Sequence, residues 1–458
     1  MFRRDFLRQT TGLASTLLPG AVPSLAAQNT PASHAHPPVM FDVRQFGAVG
    51  DGASMDTPAV NRAIEAASAV GEGTVVFPAG QYLCYTIRLR SHVALRLEAG
   101  ATIVAAEVPK EGTTTGGYDS AGPPQPWEAF QDYGHNHWPN SLIYGEGLEN
   151  IAIYGPGMIW GKGLSRGEGT EPRAESPGVA NKSIALKNCR NVVLRDFAIL
   201  MGGHFAVLLT GTDNVVIDGL TIDTNRDGID IDCCRNVRVE NCVVNSPWDD
   251  AICPKSSFAL GYPRSTENVT ISNCYVTVLR GVIHSPLLLR LGARMRGPRD
   301  TKVGVLRRVL FSNIVSSGAV AQYPSIIAGI PGALVEDIKL DNIYLQQLGG
   351  GPSAWATLQP PEEPAGYPEA DMFGTLPATG FFLRHARNLE FSNVEIAVTQ
   401  PDARPAIWAE DVHGLDVFRL RVPRGTAGYA LNNVQDFRSF GSRDLPDRTE
   451  ATIGKLTF

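Results

Sequence analysis

The stretch NVVIDGLTIDTNRDGIDIDCCRNVRVENC, residues 214–242, contains one pattern twice. NVVIDGL begins at Asn214, and NVRVENC begins at Asn236. Each copy starts with a turn-forming asparagine, continues with alternating β-branched residues and then reaches Asn, Asp or Gly, which indicates a short strand between turns. Recurrence after about 22 residues predicts that the backbone returns to the same place once per copy.

The same line recurs along most of the chain. Five further copies are NVVLRDF, NVTISNC, RVLFSNI, DIKLDNI and NLEFSNV, and two weaker ones are NIAIYGP and GLDVFRL; they begin at Asn191, Asn268, Arg308, Asp337, Asn388, Asn150 and Gly414. The shortest intervals, from Asn191 to Asn214 and from Asn214 to Asn236, lie close to one turn of a parallel β-helix. A leucine-rich repeat would need a dense leucine frame and a helical return, whereas Val, Ile and Asn dominate here. We therefore predict an all-β fold, a right-handed parallel β-helix of the pectin-lyase-like type with strands at all nine lines.

An amphipathic segment before the repeats predicts a cap for the first coil. In DTPAVNRAIEAA, residues 56–67, Thr57 is expected as the N-cap and Pro58 at the first helical position. The apolar positions 60, 63, 64 and 67 share one helix face. One domain, residues 40–458, then accounts for the repeats, and the Gly- and Pro-rich stretches 108–141 and 347–378 are expected to form groove walls.

The N-terminal segment, residues 1–27, has the pattern of a twin-arginine export signal. Arg3 and Arg4 precede a weakly apolar run that ends in small residues around Ala26. An ordinary secretory signal and a basic tail are the alternatives. We expect export to the periplasm or the medium, and the absence of a later apolar run of about 18 residues predicts no membrane span.

The composition excludes some classes of function. The net charge of −6 gives no electrostatic footprint for nucleic acid, so a nucleic-acid partner is not expected. We also predict that the protein is a monomer. Seven cysteines without CxxC spacing argue against a disulfide framework and a zinc site. Cys189, Cys242 and Cys274 each follow an asparagine, which predicts buried thiols stacked in the interior.

Three acids share the coil spacing. Asp249 and Asp250 follow Asp227 after one interval of the repeat, so they should occupy neighbouring coils, where strands lie about 4.7–4.9 Å apart. The bend 246–248 before the pair offers a way to present both on one surface. Clustered carboxylates repel one another, which raises at least one pKa and leaves others ionised, as hydrolysis of a glycosidic bond requires. We expect Asp230 and Asp232, by contrast, to satisfy turns between coils.

The residues NRDGID…DDAICPKS at 225–256, with GDG at 50–52 and IAIYGPGMIWGKG at 151–163, resemble the polygalacturonase family, glycoside hydrolase family 28. The resemblance covers roughly residues 40–420. It implies metal-independent hydrolysis with inversion of configuration and no cofactor. It also implies the roles of five residues: Asp249 as general acid, Asp227 and Asp250 as the acids that activate water, Asn225 as a positioning residue and Lys255 as a substrate ligand.

Three departures from the family pattern bear on the activity. Arg226 stands where the family usually carries Thr. Leu279-Arg280-Gly281 occupies the place of Gly-His-Gly, and Arg290-Leu291-Gly292 replaces Arg-Ile-Lys. These differences argue against a simple endo-acting polygalacturonase.

Other side chains are candidates for the same site. His204 lies one coil before Asp227 and is either a substrate ligand or a core histidine. Trp248, and from the loops Trp138 and Trp355, either stack on a sugar or pack. His135 and His137 are expected to supply groove polarity or packing rather than to bind a metal. His284 and residues 294–296 are expected to lie in a solvated loop.

Four cations lie around the acids in the sequence: Arg226, Lys255, Arg280 and Arg290. They either neutralise the acid cluster or bind a uronate carboxylate, for which a planar guanidinium is well suited. The leading hypothesis is an exported glycosidase that attacks the ends of an acidic, pectic polysaccharide or oligosaccharide of the galacturonate or rhamnogalacturonan type. A polysaccharide lyase or epimerase on the same solenoid, and a solenoid that only binds glycan, are the alternatives.

Overall fold

The computed structural model describes residues 39–108, 117–167, 169, 171–277, 283–294 and 297–458. The predicted export signal and Arg280 lie outside these ranges. Within them the chain forms two short α-helices, four 3₁₀ segments and thirty strands. No helix among these residues is long and apolar enough to cross a membrane.

Strands account for most of the ordered structure, and helices are few. The helices are α1 Thr57–Ala69 and α2 Tyr133–Asn136, and the 3₁₀ segments are Val43–Phe46, Glu128–Phe130, Ser353–Thr357 and Ala370–Phe373. The strands are β1 Met40–Asp42, β2 Asp51–Met55, β3 Gly73–Phe77, β4 Gly80–Cys84, β5 Ile87–Arg88, β6 Val93–Leu97, β7 Ala101–Ala105, β8 Ile143–Glu146, β9 Glu149–Tyr154, β10 Met158–Trp160, β11 Lys182–Lys187, β12 Arg190–Arg195, β13 Ala198–Leu200, β14 Phe205–Thr210, β15 Asp213–Asp218, β16 Thr221–Asp223, β17 Asp227–Asp232, β18 Arg235–Glu240, β19 Val243–Asn245, β20 Ile252–Lys255, β21 Thr266–Ser272, β22 Tyr275–Thr277, β23 Leu288–Arg290, β24 Leu306–Ala319, β25 Ser325–Ala328, β26 Val335–Gly349, β27 Phe381–Gln400, β28 Ile407–Phe418, β29 Tyr429–Phe440 and β30 Arg448–Thr457.

The strands stack in parallel on three faces of a solenoid. The first face runs β3-β6-β9-β12-β15-β18-β21 and continues into β24, and the second runs β4-β7-β10-β13-β16-β19-β22. The third face, β5-β8-β11-β14-β17-β20, carries the acids. All nine repeat lines lie in strands, as predicted. At the end of the described chain β30 closes the first face by pairing antiparallel to β29.

Alternation of side chains along each strand builds the core. On the first face Val215 and Ile217 of β15 point inward and are buried, with Val192 below and Val237 above in the same register. Successive residues of a strand point to opposite sides, so every other position of the repeat line is apolar and interior. The core is thus a continuous column of aliphatic side chains along the solenoid.

An asparagine ladder runs along the starts of the first-face strands β12, β15, β18 and β21. Asn191, Asn214, Asn236 and Asn268 all adopt φ between 54° and 60°. The amide of Asn214 donates to Asn191 Oδ1 at 3.0 Å, Asn236 donates to Asn214 at 3.0 Å, and Asn268 donates to Asn236 at 2.9 Å. Asparagine tolerates the left-handed conformation better than other residues with a Cβ, and its amide pairs with the coil below.

A second ladder separates the first face from the second. Asn241, Asn273, Asn313 and Asn342 also have positive φ, and each of the last three donates its amide to the preceding member at 2.6–3.2 Å. The Asn that ends the repeat line therefore has the same function as the Asn that begins it. The two ladders mark the ends of the first-face strands and set the length of that face.

Helix α1 caps the first coils, but its start differs from the prediction. Its buried face is Ala59, Val60, Ala63, Ile64 and Ala67. The N-cap is Asp56 rather than Thr57. The Asp56 carboxylate accepts hydrogen bonds from the backbone amides of Val49 and Gly50, and Thr57 Oγ1 accepts one from Tyr85 N at 2.7 Å. Both side chains therefore hold neighbouring turns instead of capping the helix.

The cysteines are free, and all but Cys253 are buried, as predicted for thiols stacked in the interior. The described residues of the two long loops lie over the outside of the coils. From the first, Trp138 packs on the third face and donates to Thr210 Oγ1 at 3.0 Å. The second is held by Arg384, whose guanidinium donates to the carbonyls of Pro360 and Pro361.

Substitutions at Asn214 should separate the two contributions of the ladder to stability. Asn214→Gly retains the left-handed backbone but loses both amide contacts, whereas Asn214→Ala also introduces steric strain. We expect Ala to destabilise more than Gly by about 1 kcal/mol, measured by chemical denaturation. Thr221→Ala, on the exposed side of β16, serves as the control. Equal stability of the Ala and Gly variants would contradict the assigned role of the backbone conformation.

Candidate active site

Asp227 is the first residue of β17 and is almost fully buried. It stands next to Phe205 of the preceding coil. The residue after it must be glycine, because a Cβ on Gly228 would lie 2.4 Å from the carbonyl oxygen of Ala251. This close approach of two coils brings Asp227 against the segment that carries the other acids.

Asp249 and Asp250 lie on the next coil, in the bend between β19 and β20. The amide of Gly228 donates to Asp250 O at 2.8 Å, so the two segments are adjacent, as the coil spacing predicted. Asp250 N donates to the Asp249 carboxylate at 3.0 Å. One oxygen of Asp227 and one of Asp249 lie within 4.8 Å of each other. The bend therefore gathers all three acids on one surface.

Asp230 also belongs to the site, which corrects the expectation that it satisfies a turn. It lies in the middle of β17, fully buried, and its carboxylate forms an ion pair with Lys255 Nζ at 2.9 Å. Gly228, Asp230 and Asp232 alternate with the interior Ile229 and Ile231, so they face outward. This alternation, with Lys255 one coil later, was the available signal. Asp232 instead holds the next turn through hydrogen bonds from Ser257.

His135 reaches the site from the first loop. Its Nε2 lies 3.1 Å from Lys255 Nζ and 3.5 Å from Asp230 Oδ2. His137 does not: its Nδ1 lies 3.1 Å from the carbonyl of Ala121, which fits the predicted packing role. No periodicity connects His135 with a residue 120 positions later, so its contact with Lys255 could not be predicted from the repeat.

Arg226 lies inside the acid cluster. One guanidinium nitrogen, Nη2, is 2.7 Å from Asp249 Oδ2 and 3.3 Å from His204 Nε2. His204 therefore borders the acids, as its one-coil offset from Asp227 predicted. Burial and the neighbouring Arg226 and His135 lower the pKa of His204 to about 3. The imidazole is thus neutral and can accept a hydrogen bond from the guanidinium.

The acids differ in their affinity for protons. Burial and the nearby Asp230 and Asp249 raise the pKa of Asp227 well above its ordinary value. Burial raises the pKa of Asp250 to about 6, with Asp249 and Asp230 adding to it against Lys255. Burial also acts on Asp230, but Lys255 and His135 outweigh it and hold its pKa at about 2. The cluster thus combines protonated and ionised carboxyls in weakly acidic solution, the division that acid–base hydrolysis needs.

Buried polar atoms at the site that lack a protein partner among the described residues include Asp227 Oδ1, Asp230 Oδ1 and Arg226 Nε. Buried polar atoms are normally hydrogen-bonded, and each exception needs an explanation such as an ordered water or a ligand. Asp227 Oδ1 lies among carboxyls that could share a water molecule, because one water can bridge oxygens about 5 Å apart with two bonds near 2.8 Å.

Two sets of side chains have the composition of a metal site, His135 with Asp227 and Asp230, and His204 with Asp227 and Asp249. A side-chain cation already occupies each set. Lys255 Nζ contacts both Asp230 and His135, and the Arg226 guanidinium contacts both Asp249 and His204. A divalent cation would be repelled by the ammonium or the guanidinium in these positions, so the donor sets fit charge pairs better than metal ions.

Two pockets meet at the acids and share Asp249 and Asp250. The tryptophan pocket includes Arg226, Trp248, His284, Glu369 and Asp371, whereas the arginine pocket includes Asp132, His135, Asp227, Lys255, Arg290, Arg294 and Tyr367. Trp248 is 66% exposed, so its indole is open to a sugar ring. Asp132, Tyr367, Glu369 and Asp371 come from the long loops, and repeat analysis did not identify them.

The remaining predicted residues have other surroundings. Arg290 borders the arginine pocket, but its guanidinium donates to the carbonyls of Gly329, Glu362 and Glu363 and so holds the second loop. The carbonyl of Asn225 accepts a hydrogen bond from Trp248 N at 3.2 Å, which ties the two acid-bearing segments together.

The candidate tryptophans from the loops are not at the acids. Trp138 is buried, and Trp355 lies in a separate surface pocket next to Leu358 and Pro360.

Comparison with known proteins agrees with this geometry. Residues 100–281 match the model of glycosyl hydrolases family 28, and residues 40–96 match a model described as rhamnogalacturonase A/epimerase, pectate lyase-like. A protein described as a probable polygalacturonase from Vitis vinifera is 27% identical over 267 residues, 55% of this chain and 51% of the relative. The chain spans about half the length of the curated relatives it matches.

A mannuronan C5-epimerase from Azotobacter vinelandii is 48% identical over 66 residues, only 14% of this chain and 4% of the relative. The solved family 28 exopolygalacturonase of Yersinia enterocolitica aligns over 87% of this chain and 78% of that chain, with a TM-score of 0.53 and 18% identity. The right-handed parallel β-helix is thereby confirmed as the fold. The matches also confirm the family resemblance over residues 100–281, which match the family 28 glycosyl hydrolase model.

The raised pKa of Asp250, about 6, should make the protein less stable above that pH. The native state holds this proton more tightly than the unfolded chain, so the stabilisation is present at low pH and is lost as pH rises through about 6. Asp250→Asn cannot ionise and is expected to exceed the wild type by on the order of 1–3 kcal/mol at about pH 7–8.

The measurement is chemical denaturation at several pH values. The difference between Asp250→Asn and wild type should shrink toward about pH 4, where both carry a neutral group. Asp436→Asn, which removes an exposed carboxylate on β29, is the charge-matched control. A gap that does not depend on pH, or a less stable Asp250→Asn at neutral pH, would contradict the assignment.

Proposed function

We propose that the protein hydrolyses glycosidic bonds of an acidic, pectin-type glycan by an inverting acid–base mechanism. One observation carries this proposal: three carboxyls from adjacent coils converge where two open pockets meet, and burial raises the pKa of two of them. Such a cluster holds a proton for the leaving group and a negative charge for water in the same solution.

In the proposed reaction Asp249 donates its proton to the glycosidic oxygen, which leaves as a hydroxyl group. A water molecule held between Asp227 and Asp250 attacks the anomeric carbon and gives up one proton to the carboxylate of Asp250, which is ionised above about pH 6. Asp249 and Asp250 both lie where the two pockets meet, which suits a bond that lies across the junction, and the family resemblance assigns the proton donor to Asp249. The unpartnered oxygen of Asp227 supports the water site.

The arginine pocket is the proposed place of a uronate. Lys255 and Arg294 line it, and an arginine can bind a carboxylate through two parallel hydrogen bonds. Arg290 contributes charge there, although its hydrogen bonds go to the second loop. The prediction that Arg280 contacts the substrate stays a prediction outside the described residues.

Attack at chain ends is supported by a bridge across the arginine pocket. Arg294 stacks on Tyr367 of the second loop at 3.9 Å and donates to the carboxylate of Asp132 in the first loop at 3.3–3.4 Å. The two loops are thus joined at the arginine pocket. In the proposal this junction closes one end of the groove and stops a polymer from lying through the site, so short products from chain ends are expected.

The alternative of a lyase or epimerase draws on the short match to mannuronan C5-epimerase. Either reaction begins with removal of a proton next to a uronate carboxyl, and a lyase leaves an ultraviolet-absorbing unsaturated product. Binding without turnover is the other alternative. Export by the twin-arginine route stays a prediction for residues 1–27.

Replacement of each acid tests the mechanism. General acid and base catalysis each contribute about 10²–10⁴ in rate, so Asp227→Asn, Asp249→Asn and Asp250→Asn should each lower kcat by that order. The assay is reducing-end release from polygalacturonate, rhamnogalacturonan and their carboxyl-reduced forms. Nuclear magnetic resonance of the first product should show an inverted anomeric configuration. An unsaturated product would indicate a lyase instead.

Circular dichroism and thermal unfolding of the variants establish that the fold is intact. Asp436→Asn, which removes an exposed carboxylate on β29 outside both pockets, is the matched control and should retain most of the activity. Retention of configuration or full activity of Asp249→Asn would refute the mechanism. A wild-type preference for the carboxyl-reduced glycan would remove the uronate from the proposal.

Opening the bridge across the arginine pocket tests the mode of attack. Arg294→Ala removes both the stacking on Tyr367 and the contacts to Asp132, so longer oligosaccharides should appear among early products. Product sizes are measured by chromatography at low conversion. Arg299→Ala, an exposed position nearby, should leave the product pattern unchanged. If Arg294→Ala still releases only end products, the bridge does not determine chain-end attack.

A further inference from the structure

Arg226 stands where the family usually carries threonine, and it lies within the acid cluster. Its side chain is only 27% exposed, and Nη2 contacts the carboxylate of Asp249 at 2.7 Å. A threonine there could not place a positive charge on Asp249. The acid proposed to donate the proton is therefore paired with a cation that the family's usual residue would not supply.

The pair is fixed at the backbone as well as at the side chains. Ser246 Oγ donates to the carbonyl of Arg226, and the same hydroxyl lies 3.2 Å from the carbonyl of Asp249. One serine thus ties the two chain segments that carry the pair. These contacts hold together the two backbone segments from which the Arg226 and Asp249 side chains extend.

His204 orients the guanidinium from the other side. Its ring Nε2 lies 3.3 Å from Arg226 Nη2, and its backbone amide donates to Asn181 O at 2.9 Å. Since the imidazole is neutral, it adds no charge that would repel Arg226. It accepts a hydrogen bond and directs the guanidinium toward Asp249.

We infer that Arg226, oriented by His204, is a positioning residue for Asp249 and that its positive charge sets the alkaline limit of activity. The inference rests on the proposed hydrolysis. A guanidinium in contact with a carboxyl favours the ionised form of that carboxyl. With an uncharged residue at position 226, the alkaline limit of activity is expected at a higher pH.

Several titratable groups face Asp249. Asp227 on β17, Asp250 in the same bend and Glu369 on the second loop oppose Arg226 when they are ionised, and each interacts electrostatically with Asp249. Tyr367 on the second loop also faces Asp249, but burial raises the pKa of its phenol, so it stays neutral. The three carboxylates favour the protonated acid, whereas Arg226 favours the carboxylate. Without Arg226, only the carboxylates would act on Asp249. The direction in which the alkaline limit of activity should move therefore follows from geometry and charge.

Arg226→Gln tests the inference, because it removes the charge and keeps a polar side chain of similar shape. The alkaline limb of the profile of kcat/KM against pH should move upward by about 1 unit or more. Arg226→Lys keeps the charge and should restore most of the wild-type position. Arg238→Gln, an exposed arginine on β18, removes the same charge far from the acids and should leave the limb in place.

A second measurement does not need turnover. Protein labelled with ¹³C at the aspartate carboxyls is titrated by nuclear magnetic resonance, and the signal missing in Asp249→Asn identifies Asp249. Its midpoint should be higher in Arg226→Gln than in the wild type. A midpoint that moves in a protein inactive on every glycan would support the charge pair and overturn the hydrolase. Normal hydrolysis with an unmoved limb and midpoint would overturn the role of Arg226 alone.

Discussion

The left-handed turn residue at the start of the first-face strands, an asparagine in β12, β15, β18 and β21, is the constraint on which the remaining structure depends. Asn214 and its neighbours in the ladder turn the chain at the same point of every coil, and their amides bind one coil to the next at about 3 Å. This fixes both the phase and the spacing of the coils. Asp227 and Asp249 become neighbours only because the turns keep phase from one coil to the next.

The regular stacking of coils also produces electrostatic repulsion between the acids of the site. Parallel coils place equivalent residues about 4.7–4.9 Å apart, so acids repeated at one coil position must repel one another. The protein balances them with two cations, Lys255 against Asp230 and Arg226 against Asp249. Asp227 and Asp250 have no ion pair of this kind in the described structure, and theirs are the raised pKa values. The two acids whose pKa values are raised are thus acids that neither cation reaches in an ion pair.

The periodicity of the sequence predicted the features that depend on the number of residues per coil. The strands at all nine repeat lines, the interior thiols, the proximity of the three acids and the closeness of His204 all follow from counting residues per coil. Asp230 was misassigned because turns and outward-facing strand positions both favour Asp in this repeat. Thr57 was misassigned because Asp56 binds the preceding turn. His135 and Tyr367 come from loops of irregular length, whose course depends on contacts such as those of Arg290 and Arg384 rather than on any local pattern.

This division between coils and loops bears on how the chemistry and the specificity can vary. The acids belong to strands whose positions the whole solenoid determines, so a displaced acid would require a change in coil length. The walls belong to loops held by a few arginine contacts to backbone carbonyls and by the bridge from Arg294 to Asp132 and Tyr367. Loops of this kind tolerate insertions and exchanges. The same cluster of acids can therefore lie in an open groove or in a closed one, and the shape of the groove is decided by residues that lie outside the repeat.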